Sequence, residues 1–359
     1  MRQRFRSILF PFSLTYGFIV WLRNKLFDKK ILRSAGFDFP VICVGNLAVG
    51  GTGKTPMAEY LVTLLHTKYN VATLSRGYKR KTKGFFIAGE NTTAAEIGDE
   101  PMQLHTKFPE LTVAVAEERI IGVPQLLHDR PGTEVIILDD AFQHREVNAG
   151  LNILLTDCNN LYTKDTMLPS GNLRDVKTSS KRANIIIVTK CKADLTNRER
   201  EETLKELRPG QAQKVFFTTI GYESPYHLFT KQTKNLDCDS NVLLVCGIAN
   251  PEALKEFITT KTGECESLIF GDHHAFTAKD ISEIKNKFSE IPGPDKMIVT
   301  TEKDSTRLSK FENELKHLPV YAIPMRHQFL FGDAAQFETC IMSFIESFGD
   351  SELNPRTTP

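Results

Sequence analysis

The chain lacks the marks of a disulfide scaffold, of a zinc ribbon and of a polyelectrolyte binder. Its seven cysteines are odd in number, scattered, and form no C-x-x-C pair. That argues against a disulfide framework and a zinc site, and it suits a reducing cytoplasm. Charge of one sign is also missing: 45 Lys and Arg against 44 Asp and Glu leave a formal net charge of +1 at pH 7. No global pull toward nucleic acid follows, so an electrostatic partner has to be served by a local patch. There is no internal repeat, low-complexity tract or long linker apart from the polar tail Ser351 to Pro359. The nearly uncharged run Ile8 to Leu22 would extend only about 22 Å as a helix, short of the ~30 Å hydrocarbon core, so a transmembrane span is not expected.

What is there begins with length: 359 residues suggest about two domains with substantial cores. The run Ile8 to Leu22 (ILFPFSLTYGFIVWL) is flanked by Arg2, Arg4 and Arg6 before it and by Arg23, Lys25, Lys29 and Lys30 after it. No small-residue cleavage site follows, which weighs against a signal peptide. The run suits an interfacial helix, its aromatic and aliphatic residues entering the headgroup region and its basic flanks meeting anionic lipid. The bland alternative is a core helix packed on the main domain.

The stretch Val41 to Pro56 (VICVGNLAVGGTGKTP) carries the strongest chemical signal. Four apolar residues read as a buried strand, and a glycine-rich turn leads into a helix-compatible segment near Lys54. In a phosphate-binding loop the amides of Val49, Gly50, Gly51, Thr52, Gly53, Lys54 and Thr55 wrap the anion at a helix N-terminus. Lys54 would reach the β- and γ-phosphates, and the Thr55 hydroxyl would bind Mg²⁺. The first position of the G-x-x-x-x-G-K-[ST] pattern is Ala48. An ordinary glycine-rich turn is the alternative.

Further candidates stand at strand ends. Arg76 and Tyr78 follow the strand Val71 to Ser75, where open α/β sheets place ligands, although the triplet also suits a surface turn. Asp99 and Glu100 (GDEP) precede a helix, where adjacent carboxylates often serve only as caps. Asp139 and Asp140 end the apolar strand Val135 to Leu138, the arrangement that holds Mg²⁺ or its water downstream of a phosphate loop; a solvated strand end is the alternative. The loop Pro169 to Asp175 (PSGNLRD) offers Asn172 and Arg174 for phosphate or sugar hydroxyls.

Taken together, GNLAVGGTGKTP (45–56), LSRGY (74–78), GDEP (98–101), DDAFQHR (139–145), PSGNLRD (169–175) and FGDHHAF (270–276) resemble the tetraacyldisaccharide 4′-kinase family, the lipid A 4′-kinases. Two positions depart from the family pattern: Ala141 stands for a glycine and Asp175 for a glutamate. The resemblance implies an ATP-dependent kinase acting on the 4′-hydroxyl of an acylated glucosamine disaccharide 1-phosphate, at the cytoplasmic face of the bacterial inner membrane. It implies that Asp99 accepts the hydroxyl proton together with His273 or His274. Without it those histidines read as a helix cap. ATP and Mg²⁺ are the implied cofactors, with Thr55, Glu100 and Asp139 the candidate metal ligands. Lys54, Asp139 and Asp140 join the catalytic set, and Arg76, Tyr78, Arg119, Asn172 and Arg174 are candidate substrate or charge-neutralising residues. No nucleic acid and no obligate protein partner are expected.

The expected fold class is α/β: a P-loop NTPase-like, mostly parallel sheet with helices on both faces, plus a second smaller α/β domain and an N-terminal interfacial helix. The expected divisions are residues 1–30 for that helix, 31–222 for the kinase domain, 223–325 for the smaller domain, and 326–359 for a returning helix and tail. Lys214 to Ile220 and Pro319 to Pro324 are the expected crossings between domains. Two other classes share part of the pattern. A GTPase-type switch would explain the loop, Asp139 and the string TKCKAD (189–194), and a soluble small-molecule kinase would make the first helix mere core.

Overall fold

A computed structural model describes residues 9–248, 250–272 and 274–352. The described residues open with a helix, Phe10–Asp28 (α1), and go on to the strand Val41–Asn46 (β1), which is buried at every position. A parallel strand covered on both faces reads as a continuous apolar run, and VICV does so. Alternate residues serve different cores. Val41 and Cys43 face a cluster with Val123 and Leu126, whereas Ile42 and Val44 face one with Met57, Leu61 and Leu65.

Around β1 lie β2 (Val71–Ser75), the edge strand β3 (Phe86–Ile87), β4 (Thr112–Val115), β5 (Val135–Asp139), β6 (Leu151–Asp157), β7 (Ile185–Thr189) and β8 (Lys214–Tyr222). The intervening helices are α2 (Lys54–Leu65), α3 (Asp99–Lys107), α4 (Arg119–Asp129) and α5 (Asn197–Leu207). A second unit follows with β9 (Tyr226–His227), β10 (Asn241–Cys246), α6 (Glu252–Thr259), β11 (Glu264–Ile269), α7 (Ala278–Glu290), β12 (Lys296–Thr301), α8 (Glu302–Leu308) and β13 (Val320–Ile323). The chain then returns through β14 (Met325–Phe329) to α9 (Ala334–Glu352). Spatial order is β14-β8-β7-β6-β1-β5-β2-β4-β3 in the large sheet and β9-β13-β12-β10-β11 in the small one. Both are parallel apart from edge strands: β3 and β14 in the first, β9 in the second. Phe337, Ile341 and Ile345 of α9 are buried with Met57 and Leu61 of α2.

The expected crossings need correcting. Lys214–Tyr222 is a strand of the large sheet, paired with β7, and Val320–Ile323 is a strand of the small one. Their β-branched and aromatic residues find ladder partners, so the true crossings shrink to Glu223–Pro225 and Pro324. Departing β8 and returning β14 are hydrogen-bonded to each other, from Thr218 opposite Phe329 to Tyr222 opposite Met325.

The two units also meet through a buried ion cluster. Lys107 Nζ lies 2.9 Å from Glu59 Oε2 on α2 and 2.5 Å from Glu302 Oε1 on α8. Gln103 donates to Glu59, Tyr226 donates to Glu302 at 3.3 Å, and Arg326 approaches Glu59 at 3.5 Å. Buried charges persist only when paired in this way.

The first helix is inside out. Its buried residues include Ser13 and Asn24, while Phe12, Leu14, Phe18 and Ile19 are each 60% exposed or more. Asn24 donates to Asp175 at 2.7 Å, Ser13 bonds Ser170 at 2.8 Å, and Tyr16 donates to the Arg174 carbonyl at 3.2 Å. It runs six residues past Leu22 because Asn24 and Phe27 find buried positions there. Among the described residues no helix is long and apolar enough to cross a membrane. Arg2, Arg4 and Arg6 lie outside the described residues.

Candidate active site

The candidate residues of the large sheet gather at its carboxyl edge, where the loop after β1 faces the ends of β5, β6 and β7. Parallel strands deliver their following loops to one side, which is why open α/β sheets bind ligands there. Gly50 and Gly53 have φ of +110° and +85°, and Gly53 leads directly into α2. A Cβ built on Gly50 or Gly51 meets nothing within 4 Å, so this side of the loop is open.

The other side is held firmly. Asn46 donates to the Thr52 hydroxyl at 2.9 Å, and the Thr189 hydroxyl at the end of β7 donates to the Thr52 carbonyl at 2.9 Å. The PSGNLRD loop lies alongside: the Val49 amide donates to the Asn172 carbonyl, the Arg174 amide donates to the Leu47 carbonyl, and Ala48 pairs with Leu173 as an antiparallel bridge. Alanine at the first pattern position is thus accommodated in extended pairing. The Asn172 side chain donates to Asp165 at 3.0 Å.

Charge concentrates beside the loop. Lys54 Nζ lies 3.8 Å from Asp140 Oδ1, and Arg174 forks onto both Asp140 oxygens while reaching Asn46 Oδ1 at 2.7 Å. Burial would raise the Asp140 carboxyl, but Lys54 and Arg174 outweigh it and hold it below the usual range. Asp140 itself takes the left-handed turn, with φ +50°. Ala141 is absent from the positive-φ residues and is buried, so alanine fits where the family has glycine.

Asp139 differs sharply from its neighbour. Burial, with the carboxylates of Glu100 and Asp140 adding to it, pushes its pKa up to about 7 against the pull of Lys54 and Arg119. Its Oδ1 is buried without a hydrogen-bond partner. An orphaned carboxylate oxygen facing further carboxylates is an electrostatic demand for a cation. Among the described residues no three His, Cys, Asp or Glu side chains form a metal cage by themselves. Mg²⁺ does not need one, since it keeps waters and phosphate oxygens alongside one or two carboxylates. Thr55, second residue of α2, and Glu100, second residue of α3, are the other candidate ligands.

The second unit enters through Asp99. Arg307 of α8 reaches across to Asp99 Oδ2 with Nε at 3.0 Å and Nη2 at 2.7 Å, and is itself held by Asp304 at 2.9 Å. His274 faces elsewhere: its Nε2 bonds Asp280 Oδ2 at 3.0 Å inside the capping box of α7, and its ring stacks on Phe270. The His274 main-chain carbonyl, rather than its ring, lies 3.5 Å from Arg307 Nη1. His273 lies outside the described residues.

Arg119, expected at a substrate, is 1% exposed and donates to the main-chain carbonyls of Ala116 and Asp139. It therefore props the end of β5 from within. Arg76 is exposed just after β2, and Tyr78 is 62% exposed with Lys79 over its ring. In TKCKAD, Lys190 pairs with Asp157 at 2.8 Å. Arg307 and Asn46 carried no assignment from sequence. Arg307 sits in a capped helix of no recognisable motif, and the asparagine was visible only as part of GNLAVGG.

Comparison with known proteins agrees over nearly the full length. Residues 5–346 match the family model described as tetraacyldisaccharide-1-P 4′-kinase. The chain is 46% identical over 345 residues to the tetraacyldisaccharide 4′-kinase of Phocaeicola vulgatus, covering 94% of each chain. It is 45% identical over 344 residues to that of Flavobacterium johnsoniae, covering 95% of this chain and 97% of the other. Among solved structures, LpxK from Aquifex aeolicus in complex with ATP superposes with a TM-score of 0.74 at 28% identity, covering 95% of this chain and 99% of that one.

Proposed function

The chain belongs to the tetraacyldisaccharide 4′-kinase family, and from that premise we propose that phosphate transfer takes place between the loop at residues 48–55 and Asp99. The reaction is ATP-dependent phosphorylation of the 4′-hydroxyl on the acylated disaccharide precursor of lipid A. One observation carries the placement: the open face of the glycine loop lies beside Lys54 and the orphaned Asp139 oxygen. The division that fits is a kinase unit on the large sheet, a smaller unit on the second, and a helix returning to the first.

In this reading the amides of Gly50, Gly51, Gly53, Lys54 and Thr55 and the Lys54 ammonium cradle the triphosphate, whereas the Val49 amide, expected among them, is engaged by the Asn172 carbonyl and that of Thr52 by the Gly50 carbonyl. Asp139, with Thr55 and Glu100, would hold Mg²⁺, which when bound would supply charge neutralisation for the transferring phosphate. Arg174 keeps Asp140 ionised next to Lys54. Asp99, oriented by Arg307, accepts the proton of the 4′-hydroxyl. His274 is committed to the α7 cap, which leaves His273 as the histidine to test beside Asp99. Arg76 and Tyr78, exposed on the same edge, are candidate contacts to the sugar or its phosphate.

The test is transfer of labelled phosphate from ATP to a defined disaccharide lipid in mixed micelles. Lys54→Ala should fall at least about a hundredfold, since it removes one preorganised cation from the developing charge. A folded Lys54→Ala protein with turnover near the parent's would displace the loop from the reaction.

The inside-out α1 is assigned to the membrane, at the cytoplasmic face of the bacterial inner membrane. Phe12, Phe18 and Trp21 are exposed and would each gain up to about 1.5–3 kcal/mol on full burial among acyl chains. Replacing all three with serine should lower binding to anionic-lipid vesicles about tenfold or more, and replacing only Phe12 and Phe18, each 60% exposed or more, should weaken binding with little change in the melting temperature. Equal flotation of parent and variant would return α1 to a purely structural role.

A further inference from the structure

A buried imidazole lies directly under the candidate phosphate loop. His327, on β14, is 3% exposed; its Nε2 is 2.8 Å from the Gly53 carbonyl oxygen and its Nδ1 is 2.9 Å from Thr218 Oγ1. A carbonyl oxygen can only accept, so Nε2 carries the proton and donates. Burial holds the ring's pKa down at about 4, so it is neutral at physiological pH, and Nδ1 accepts from the Thr218 hydroxyl. This fixes the tautomer.

The ring also shapes the turn. A Cβ on Gly53 would come within 2.9 Å of two His327 ring atoms, so the imidazole fills the space beneath the φ +85° residue. The Thr189 hydroxyl holds the preceding carbonyl, that of Thr52. Two successive carbonyls are therefore anchored from side chains of β7 and β14. In a planar trans peptide the N–H points opposite to the C=O, so the same anchors turn the amides of Gly53 and Lys54 the other way. Successive amides turned to one side make an anion cradle.

His327 arrives from the second unit. β14 follows β13 across Pro324 alone, and the residue before His327, Arg326, pairs with Glu223 at 3.0 Å and approaches Glu59 on α2 at 3.5 Å. The strand that re-enters the large sheet thus touches the phosphate loop and the helix behind it.

We infer that His327 is a positioning residue for phosphoryl transfer, holding the Gly53 carbonyl so that the Gly53 and Lys54 amides grip the ATP phosphates. The inference rests on the loop at residues 48–55 being the nucleotide site. His327→Leu removes the donor and keeps bulk, His327→Gln restores an N–H of similar reach, and Thr218→Val removes the donor to Nδ1. A hydrogen bond of ordinary net strength corresponds to up to about tenfold in affinity. The Kd for MgATP should therefore rise up to about tenfold in His327→Leu and return to within about threefold of the parent in His327→Gln. The KM for the lipid should stay within about twofold.

If His327→Leu does not fold, an intermediate rise in Thr218→Val with recovery in His327→Gln supports the same conclusion. A folded His327→Leu protein with the parent's MgATP affinity would overturn it. So would equal losses for both substrates, or His327→Gln as poor as His327→Leu. Lys54→Ala measured alongside separates the two levels: if it too binds MgATP normally, the loop assignment is at fault, and if it alone loses affinity, only the role of His327 falls.

Discussion

Replacing Asp99 with alanine is expected to lower kcat by about 10²–10⁴-fold while leaving MgATP affinity within about twofold. A sugar hydroxyl is a very weak acid, so its proton must have an acceptor as the bond to phosphorus forms. Asp99 stands at the head of α3 with Arg307 gripping its Oδ2. The arginine fixes the carboxylate's orientation from the second unit, and the substrate hydroxyl would meet it in the cleft. Asp99→Asn separates the roles. The amide still offers Arg307 an acceptor but is no base, so loss of proton acceptance should cripple both variants alike. An asparagine variant within about tenfold of the parent would make Asp99 an orienting group only. His273→Ala should show a comparable kcat loss if that imidazole shares the proton, and ordinary turnover if it does not.

The second large effect concerns stability. Lys107→Met should cost about 3–5 kcal/mol, because it leaves Glu59 and Glu302, both nearly inaccessible, without the cation they share. Arg326 gives Glu59 only a longer contact. Burial, with the Glu302 charge adding to it, already raises the Glu59 pKa above the ordinary range. The sign follows from linkage. A carboxyl raised in the folded state binds more protons there than in the unfolded chain, so its penalty is absent below the unfolded pKa, about 4.3, and grows as pH climbs toward the folded value. Removing Lys107 raises that value further. The deficit of Lys107→Met in denaturant unfolding should therefore shrink as pH is lowered from 8 toward 5. A deficit below about 1 kcal/mol, or one that grows on acidification, would contradict the picture of Lys107 as the shared cation.

The parts of this site that the sequence made legible are those written locally. An apolar run followed by GGTGKT specifies strand, turn and helix within one short stretch, and VIILDD places carboxylates at a strand end in the same way. Both appear as expected in form, and the parallel sheets follow from alternating strand and helix patterns. Contacts that close the site across the fold left no such trace. Arg307 meets Asp99 from 208 positions away, and His327 meets Gly53 from 274. Neither lies in a stretch whose spacing announces chemistry.

Burial misled in the opposite sense. Arg119 was expected at the substrate or the developing charge, yet it is spent on main-chain carbonyls because α4 folds it under β5. The stretches that form β8 and β13 were expected as crossings between the units, and their ladder partners place them in the two sheets. For α1 an outward apolar face was expected of an interfacial helix, but the polar contacts that hold its other face were not legible. Ser13 and Asn24 face inward because the motif loops at Ser170 and Asp175 offer them partners.

The most direct measurement is a crystal structure with Mg²⁺ and a non-hydrolysable ATP analogue. The account expects the triphosphate along residues 50–55, Lys54 Nζ on its terminal oxygens, and the metal against Asp139. Nucleotide bound elsewhere, for instance in the cavity of about 530 Å³ lined by Gln103, Tyr226 and Glu302, with the loop empty, would contradict it.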